Sequence, residues 1–598
     1  MIDFPHIEAL ADVSPAWPVI IGGLIAAAVP NHLLRKVLAL LAPILALVLW
    51  FNPETIGTYG IIEFGGFTLE TFRYDNLSRI WSFVFILAAF INGLYGLHER
   101  DRLADASGLI YSGAGLGAVF AGDLLTLFFF WELTAISSVF LIWGARNNAA
   151  YKAGLRYLGI HILSGVLLLA GAVIRASETG SWAFGEFWGE GMEGGAVAAG
   201  IGLDSLGGWL IFLAFGIKCA FPFMHNWLQD AYPKATITGA VVLSAFTTKL
   251  AVYALARGYA GTDILIYIGA VMTAFPVFFA VVENDLRKVL AYSLNNQLGF
   301  MVVGIGVGTE LALNGAAAHA FVHIIYKALL FMSMGAVLLR AGTVKASELG
   351  GLFKSMPATS FFCLIGAASI SAFPLFSGFV AKALTLSAVA YEASHGHPEL
   401  IAIWLVLVFA SAGVLEHSGI KIPYFAFFAH DRGLRVREAP ANMLIAMGLA
   451  ALLCVFLGVN YGVLYTLVPF PEVAAQYEPY TFDHIVGQMQ LLIAAMFAFT
   501  FLVRMGWYPD EKRSINLDFD WIYRRFGDGM VRWAWAMVDR LMAALGNLIA
   551  AARAKFGSRM FEAFSPMGAL SRDIPSGLLA IWTSALLAIV LLISYIAR

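Results

Sequence analysis

The chain has 598 residues and a net charge of −2, and is 60% hydrophobic but only 13% charged, where soluble domains run at about 25% charged. That balance excludes a string of soluble domains and offers no basic surface to nucleic acid. It fits an all-α polytopic membrane protein, one membrane domain with a short C-terminal extension.

The three cysteines, Cys219, Cys363 and Cys454, all lie in apolar segments and form no CxxC pair. A disulfide framework or structural zinc site is therefore not expected. No Rossmann glycine fingerprint and no GK[ST] phosphate loop occurs, so no cofactor is expected. Residues 1–16 lack a basic n-region and do not read as a signal peptide.

About 16 stretches are long and apolar enough to be read as spans: 17–30, 34–50, 77–97, 105–121, 123–143, 153–174, 207–228, 236–256, 263–282, 286–308, 312–340, 358–390, 400–418, 441–467, 485–506 and 577–596. The first is expected to begin earlier, near Ile7. Basic residues cluster at odd-to-even junctions, from Arg35 and Lys36 through Arg287 and Lys288 to Lys512 and Arg513. The opposite loops are acidic or sparse, as in Glu54, Glu63 and Glu70, or Glu186, Glu190 and Glu193. By the positive-inside rule both termini are expected outside the cytoplasm.

In chain order, residues 1–104 form the N-terminal spans. Residues 105–258 hold spans four to eight. Glu132 sits mid-span in LLTLFFFWELTAISSVFLIW, and a buried carboxylate needs a partner or a proton. The loop 175–206 is glycine-rich and acidic, and reads as a surface loop. Lys218 and Lys249 each lie well inside an apolar span, where an ammonium is expensive and usually functional. Snorkelling fits them poorly at that depth. Lys218 is the natural partner of Glu132, so the two are expected close in space. The polar connector between the two lysines carries His225, Asp230 and Lys234; His225 and Asp230 are candidates for gating access.

Residues 259–430 hold spans nine to thirteen. SLNNQLG supplies the polar row Ser293, Asn295, Asn296 and Gln297, which water or side chains can bridge. His319, His323 and Lys327 recur every four residues, on one face of one helix. Histidine carries protons near neutral pH, so this column suits proton movement. Zinc is the weaker reading, since the glutamate of HExxH is missing and three protein ligands are usual. Pro374 and Gly378 interrupt span twelve ahead of Lys382, as Pro222 interrupts span seven after Lys218. Broken membrane helices line cavities or are covered by protein. Spans 4–8 and 9–13 then read as two inverted five-helix repeats, each with one broken helix, the recurrent plan of transporters. Glu416 and His417, near the end of span thirteen, are either gating groups or interfacial charges.

Residues 431–510 carry spans fourteen and fifteen. Residues 511–576 place Trp533, Trp535, Met537, Leu541, Leu545 and Ile549 largely at three- and four-residue spacing among arginines. They read as an amphipathic helix on a membrane surface, a partner subunit or the protein's own bundle. Residues 577–598 form the last span.

Six motifs in order resemble one family: Trp131–Glu132; the run from Lys218 through Pro222, His225, Trp227 and Leu228; Lys249 with Tyr253; DLRKVLAYS at 285–293; HAFVHIIYKALLF at 319–331; and FSGFVAK at 376–382. The resemblance covers about residues 70–440 and is to the antiporter-like membrane subunits of respiratory complex I, membrane-bound hydrogenases and Mrp-type cation/proton antiporters. It implies a fourteen-helix core with two inverted repeats. Glu132, Lys218 and Lys249 match its first half-channel; His319, His323, Lys327 and Lys382 match the residues linking the centre to the second. It implies proton passage along a hydrated axis inside a larger complex. Lys382, GVLEHSGIKIPYFAFFAHDRGLRVREAPANM and LDFDWIYRR resemble the D-type subunits of Mrp systems, whereas Gln229 stands where the family often has proline. The expected function is proton translocation in a Mrp-type Na⁺/H⁺ antiporter of a bacterial inner membrane. Alternatives are a redox-driven pump subunit, a purely structural subunit, and coupled uptake of a solute such as bicarbonate.

Overall fold

The computed structural model describes residues 10–53, 55–185, 200–509, 512, 516, 518–569 and 576–596. Ile7, Glu54, Glu186, Glu190, Glu193, Arg513 and both chain ends lie outside these residues. The chain forms two units, Met1–Asp518 and Phe519–Arg598.

Every stretch read as a span is helical: α1 (Ala16–Ala28), α2 (His32–Trp50), α3 (Asn76–Tyr95), α4 (Arg102–Phe120), α5 (Leu124–Trp143), α6 (Asn148–Thr179), α7 (Leu206–Cys219) continued by the short α8 (Asn226–Ala231), α9 (Ile237–Ala245) with α10 (Thr247–Tyr259), α11 (Ile264–Val282), α12 (Leu286–Val307), α13 (Glu310–Ala341), α14 (Pro357–Ile370) with α15 (Ser377–Ser394), α16 (Leu400–Val414), α17 (Ala441–Val459) and α18 (Phe482–Arg504) in the first unit. The second unit holds α19 (Asp520–Phe564) and α20 (Ser576–Ile596). Among the described residues thirteen helices are long and apolar enough to cross a membrane. α12 and α15 are not among them; both bury polar side chains.

The expectation of an all-helical chain needs one correction. Residues 57–64 and 67–74 pair as an antiparallel hairpin, with Phe64 opposite Phe67. Gly65 and Gly66 form its turn at φ +60° and +85°, the left-handed pair that a two-residue hairpin turn requires. The backbone N–H of Glu70 donates to Asp123 Oδ2 at 2.7 Å, and Asp123 also caps α5 through the Thr126 N–H. The second strand leads to Asp75, which caps α3 and is fully buried in a two-pronged pair with Arg257 (both contacts 2.8 Å). Arg73 reaches the carbonyls of Gly122 and Phe184 beside it. Matched forks of this kind are strong and directional.

A constant register runs through the bundle. The starts of α4, α5 and α6 at 102, 124 and 148 recur at 264, 286 and 310 in α11, α12 and α13, each 162 residues later. The caps follow the same offset: Asp123 and Asp285 open α5 and α12, and Gly180 and Gly342 close α6 and α13 in left-handed conformation. So do the connections, with Leu124 N–H on Trp182 O (2.8 Å) matched by Leu286 N–H on Val344 O (3.0 Å).

The expected breaks form at both prolines, and by the same backbone device. Ala220-Phe221-Pro222-Phe223 and Ala372-Phe373-Pro374-Leu375 carry positive φ at their first and fourth residues, +63° and +69°, then +57° and +74°. A left-handed non-glycine residue costs about 1–2 kcal/mol, and such strain persists where the surrounding structure over-determines it. A third break was not expected: span eight is interrupted at Phe246, between α9 and α10. Beyond α16 the helix widens into π-helical turns at Leu415–Ile420 and Tyr424–Phe428.

At the surface, Asp431 accepts from Arg435 and Lys354, and these hydrogen bonds hold its carboxyl below the usual range. In the second unit α19 is a single helix of 45 residues, about 68 Å at 1.5 Å per residue. That is more than twice the hydrocarbon thickness of about 30 Å, so its length is not that of a simple crossing.

Candidate functional site

Lys218 is fully buried in the last turn of α7. Its Nζ donates to Trp131 O (2.6 Å) and Thr134 Oγ1 (2.8 Å), and stands 4.2 Å from the Trp131 ring. The expected closeness to Glu132 takes the form of an ammonium bound to Trp131 and Thr134, within two residues of Glu132, and the two side chains form no salt bridge. The reason lies on α6. The half-buried Glu132 side chain lies against Gly165, where an added Cβ would collide with Oε1. That oxygen makes no hydrogen bond, and the side chain borders a groove of about 560 Å³ with Phe128 and Val166. Gly165→Ala is expected to push the carboxylate off this wall and to slow transport about tenfold in a normally assembled protein, read as rate per complex.

Lys249 lies in the first turn of α10 and reaches back across the break before it, donating to Ser244 O at 2.5 Å. Thr247 N–H turns to the Tyr111 hydroxyl (2.9 Å), so a side chain replaces a bond within the helix. The column on α13 is fully buried. His319 Nε2 lies 3.2 Å from Gln297 Oε1 and 3.0 Å from the Tyr326 hydroxyl. Both ring nitrogens of His323 lack a hydrogen-bond partner, as do both polar atoms of Asn295. An unsatisfied buried polar group costs about 1–3 kcal/mol, and such rows are where internal water settles.

Lys327 Nζ donates to Ser293 Oγ at 2.8 Å. Ser418 Oγ lies 2.7 Å from Ser293 Oγ, and His417 Nδ1 lies 2.9 Å from Ser418 Oγ. This chain joins α13 through α12 to the π-helical turn and draws His417 into the core. Glu416, half-buried one residue earlier, is not part of it.

Lys382, on α15, crosses the second proline break to donate to Ile370 O at 2.8 Å, and stands 5.3 Å from the Phe300 ring. A cavity of about 280 Å³ reaches from it to Asp483, His484 and Gln488 on α18. His225 is buried beside Asp518 Oδ2 (3.1 Å), which also accepts from the Tyr292 hydroxyl (2.9 Å). Asp230 is held by Arg156 (2.7 Å) and Lys234, an ion-paired group at the bundle rim.

Sequence reasoning missed Thr134, Ser418, Tyr326 and Asp518, and did not foresee the break at Phe246. The hydroxyls carry no charge to mark them, and Asp518 lies 293 residues from the histidine it meets.

The transmembrane domain of the NADH:quinone oxidoreductase/Mrp antiporter family matches residues 121–412. Hydrogenase-4 component B of Escherichia coli strain K12 is 27% identical, over 81% of this chain and 76% of its own length. The D-type Na(+)/H(+) antiporter subunit of Alkalihalophilus pseudofirmus is 30% identical, over 53% of this chain. A chain in the structure of the Mrp complex from Dietzia sp. DQ12-45-1b shares the fold at a TM-score of 0.74 and 24% identity, over 92% of this chain. The matches span less than two thirds of the latter two proteins, 64% and 63%.

Proposed function

Because the chain belongs to the NADH:quinone oxidoreductase/Mrp antiporter family of transmembrane subunits, we propose that it is the proton-translocating membrane subunit of a multisubunit Mrp-type Na⁺/H⁺ antiporter. Its setting is the bacterial inner membrane, with both termini on the non-cytoplasmic side. Its core is two inverted repeats, 105–258 and 259–430. The constant 162-residue register supports that division, because equivalent helices five spans apart run in opposite directions.

One observation carries the reading. Lys218, Lys249, Lys327 and Lys382 are all buried, and each donates to a carbonyl or hydroxyl oxygen, not to a carboxylate. A lysine held by neutral acceptors gives up its proton without breaking an ion pair. Protons enter the first half beside Glu132 and Lys218, pass Lys249, and cross by His323 and His319 to Lys327 and Lys382. Water bridges the unpaired ring nitrogens. The cavity below Lys382 is the outlet, with the Ser293–Ser418–His417 chain as a side branch. Proton flow down its gradient drives Na⁺ export at another subunit or interface.

The second reading is the antiporter-like subunit of a hydrogenase or complex I-type pump. It is favoured by the similarity to hydrogenase-4 component B, which runs over far more of the chain than that to the antiporter subunit. Reconstituting the native complex in vesicles separates the two. Na⁺-driven collapse of a pH gradient, with no flavin or iron–sulfur subunit present, is the antiporter result. In that assay Ser293→Ala, which removes the hydroxyl between Lys327 and Ser418, is expected to slow exchange about tenfold.

A further inference from the structure

We propose that His161 is a proton-relay residue of the first half, the counterpart of His323, exchanging protons with Lys218; this rests on the transport reading above. Nothing in its sequence context, GIHILSG, draws notice, since it is a single histidine in an apolar run. A packing role is the ordinary explanation for such a residue, and the structure argues against it on two independent grounds.

The first is register. α6 and α13 are both 32 residues long, open at 148 and 310, and close on a left-handed glycine. With the offset of 162, His161 falls on His323, the fourteenth residue of each helix. Tyr157 falls on His319, and Gly165 falls on Lys327. The column on α13 therefore has an image on α6, and the departures from it are compensated. Where the second half places the Lys327 amine, the first half has glycine, and the space is taken by the Glu132 carboxylate. The titratable pair His323 and Lys327 becomes His161 and Glu132.

The second ground is the state of the ring. His161 is fully buried, and neither ring nitrogen has a hydrogen-bond partner. Buried histidines that serve packing alone satisfy those nitrogens. Here the ring is held by ring–ring packing, its centroid 4.1 Å from that of Tyr157 and 4.5 Å from that of Trp227, with both nitrogens left for transient partners. The clamp also locates it beside Lys218. Trp227 Nε1 donates to Ile217 O (2.9 Å), next to Lys218 in sequence. Trp131, whose ring and carbonyl hold the Lys218 ammonium, donates through Nε1 to Ser164 Oγ (2.9 Å), one turn along α6 from His161. In the relay the imidazole takes a proton on one ring nitrogen and releases one from the other; no other bond changes.

The test uses the intact complex in inside-out vesicles, with rates normalised to assembled complex. His161→Gln keeps polarity and removes titration. It is expected to slow proton-coupled exchange at least tenfold, as is His323→Gln, and to change the shape of the pH–rate profile, which a packing defect would only scale. An assembled His161→Gln complex within twofold of wild type, or one slowed with an unchanged profile, overturns the proposal. If the glutamine variant does not assemble, His161→Phe decides. An assembled phenylalanine variant slowed tenfold with a changed profile supports the relay, and one that is fast, is slowed with an unchanged profile, or also fails to assemble, assigns His161 to packing. Lys218→Ala is run in parallel. Normal exchange by that variant would sink the transport reading itself, whereas a dead Lys218→Ala beside a fast His161→Gln removes only the relay.

Discussion

Replacing Lys218 by alanine is expected to lower proton-coupled exchange at least a hundredfold while the complex still assembles. Positioned proton transfer contributes about 10²- to 10⁴-fold, and Lys218 is the first buried amine on the proposed path. Its anchors, Trp131 O and Thr134 Oγ1, lie within α5 and are uncharged, and Trp131 O also accepts from the Thr134 hydroxyl (2.7 Å). Losing them removes no ion pair, which is why assembly survives. Lys218→Arg sharpens the test. Arginine keeps the charge and the donors but is not deprotonated in proteins. A fixed-charge role predicts that the arginine variant works, whereas a proton-transfer role predicts that it fails like alanine. Flux of acid into vesicles, per assembled complex, separates them.

The second large effect is on stability. Asp75→Asn is expected to remove most of the assembled protein. The carboxylate is fully buried between Arg257 and the hairpin, and its loss takes the fork from the buried Arg257 guanidinium and one of two acidic neighbours from Arg73. Breaking a buried pair from one side costs about 3–5 kcal/mol, while replacing both partners with apolar groups is often nearly neutral. Asp75→Asn with Arg257→Met should therefore recover part of what Asp75→Asn loses, and the amount of folded protein in detergent is the measurement. No recovery would mean that the pair with Arg257 is not what Asp75→Asn costs, since asparagine still caps α3.

What was legible in the sequence follows a physical divide. A charge in an apolar run is costly wherever it lies, so Lys218, Lys249 and the α13 column stand out by residue type and position alone. Pro222 and Pro374 announced their breaks because proline removes a donor. Phe246 did not, because that break is set by Tyr111, whose hydroxyl accepts the N–H of Thr247, 136 residues further along the chain. The hairpin at 57–74 was marked by Gly65-Gly66 between alternating residues, but a helical reading of the whole chain passed over it. Glu132 and Lys218 lie near each other, as expected, yet form no salt bridge, and the sequence hid the reason. Charge complementarity was visible, while the absence of a side chain at Gly165, which gives the carboxylate another place to lie, has no charge signature.

The broken helices have one more consequence. Lys249 and Lys382 each point at a carbonyl at the carboxyl end of a half-helix, Ser244 of α9 and Ile370 of α14. The aligned peptide dipoles of a helix place about half an elementary negative charge at that end. The main chain thus supplies a standing partial counter-charge at both stations, present whether or not the amine holds a proton. Side-chain substitution does not remove it, and no titration erases it. On the proposed path, each of these two lysines empties and refills against that constant background.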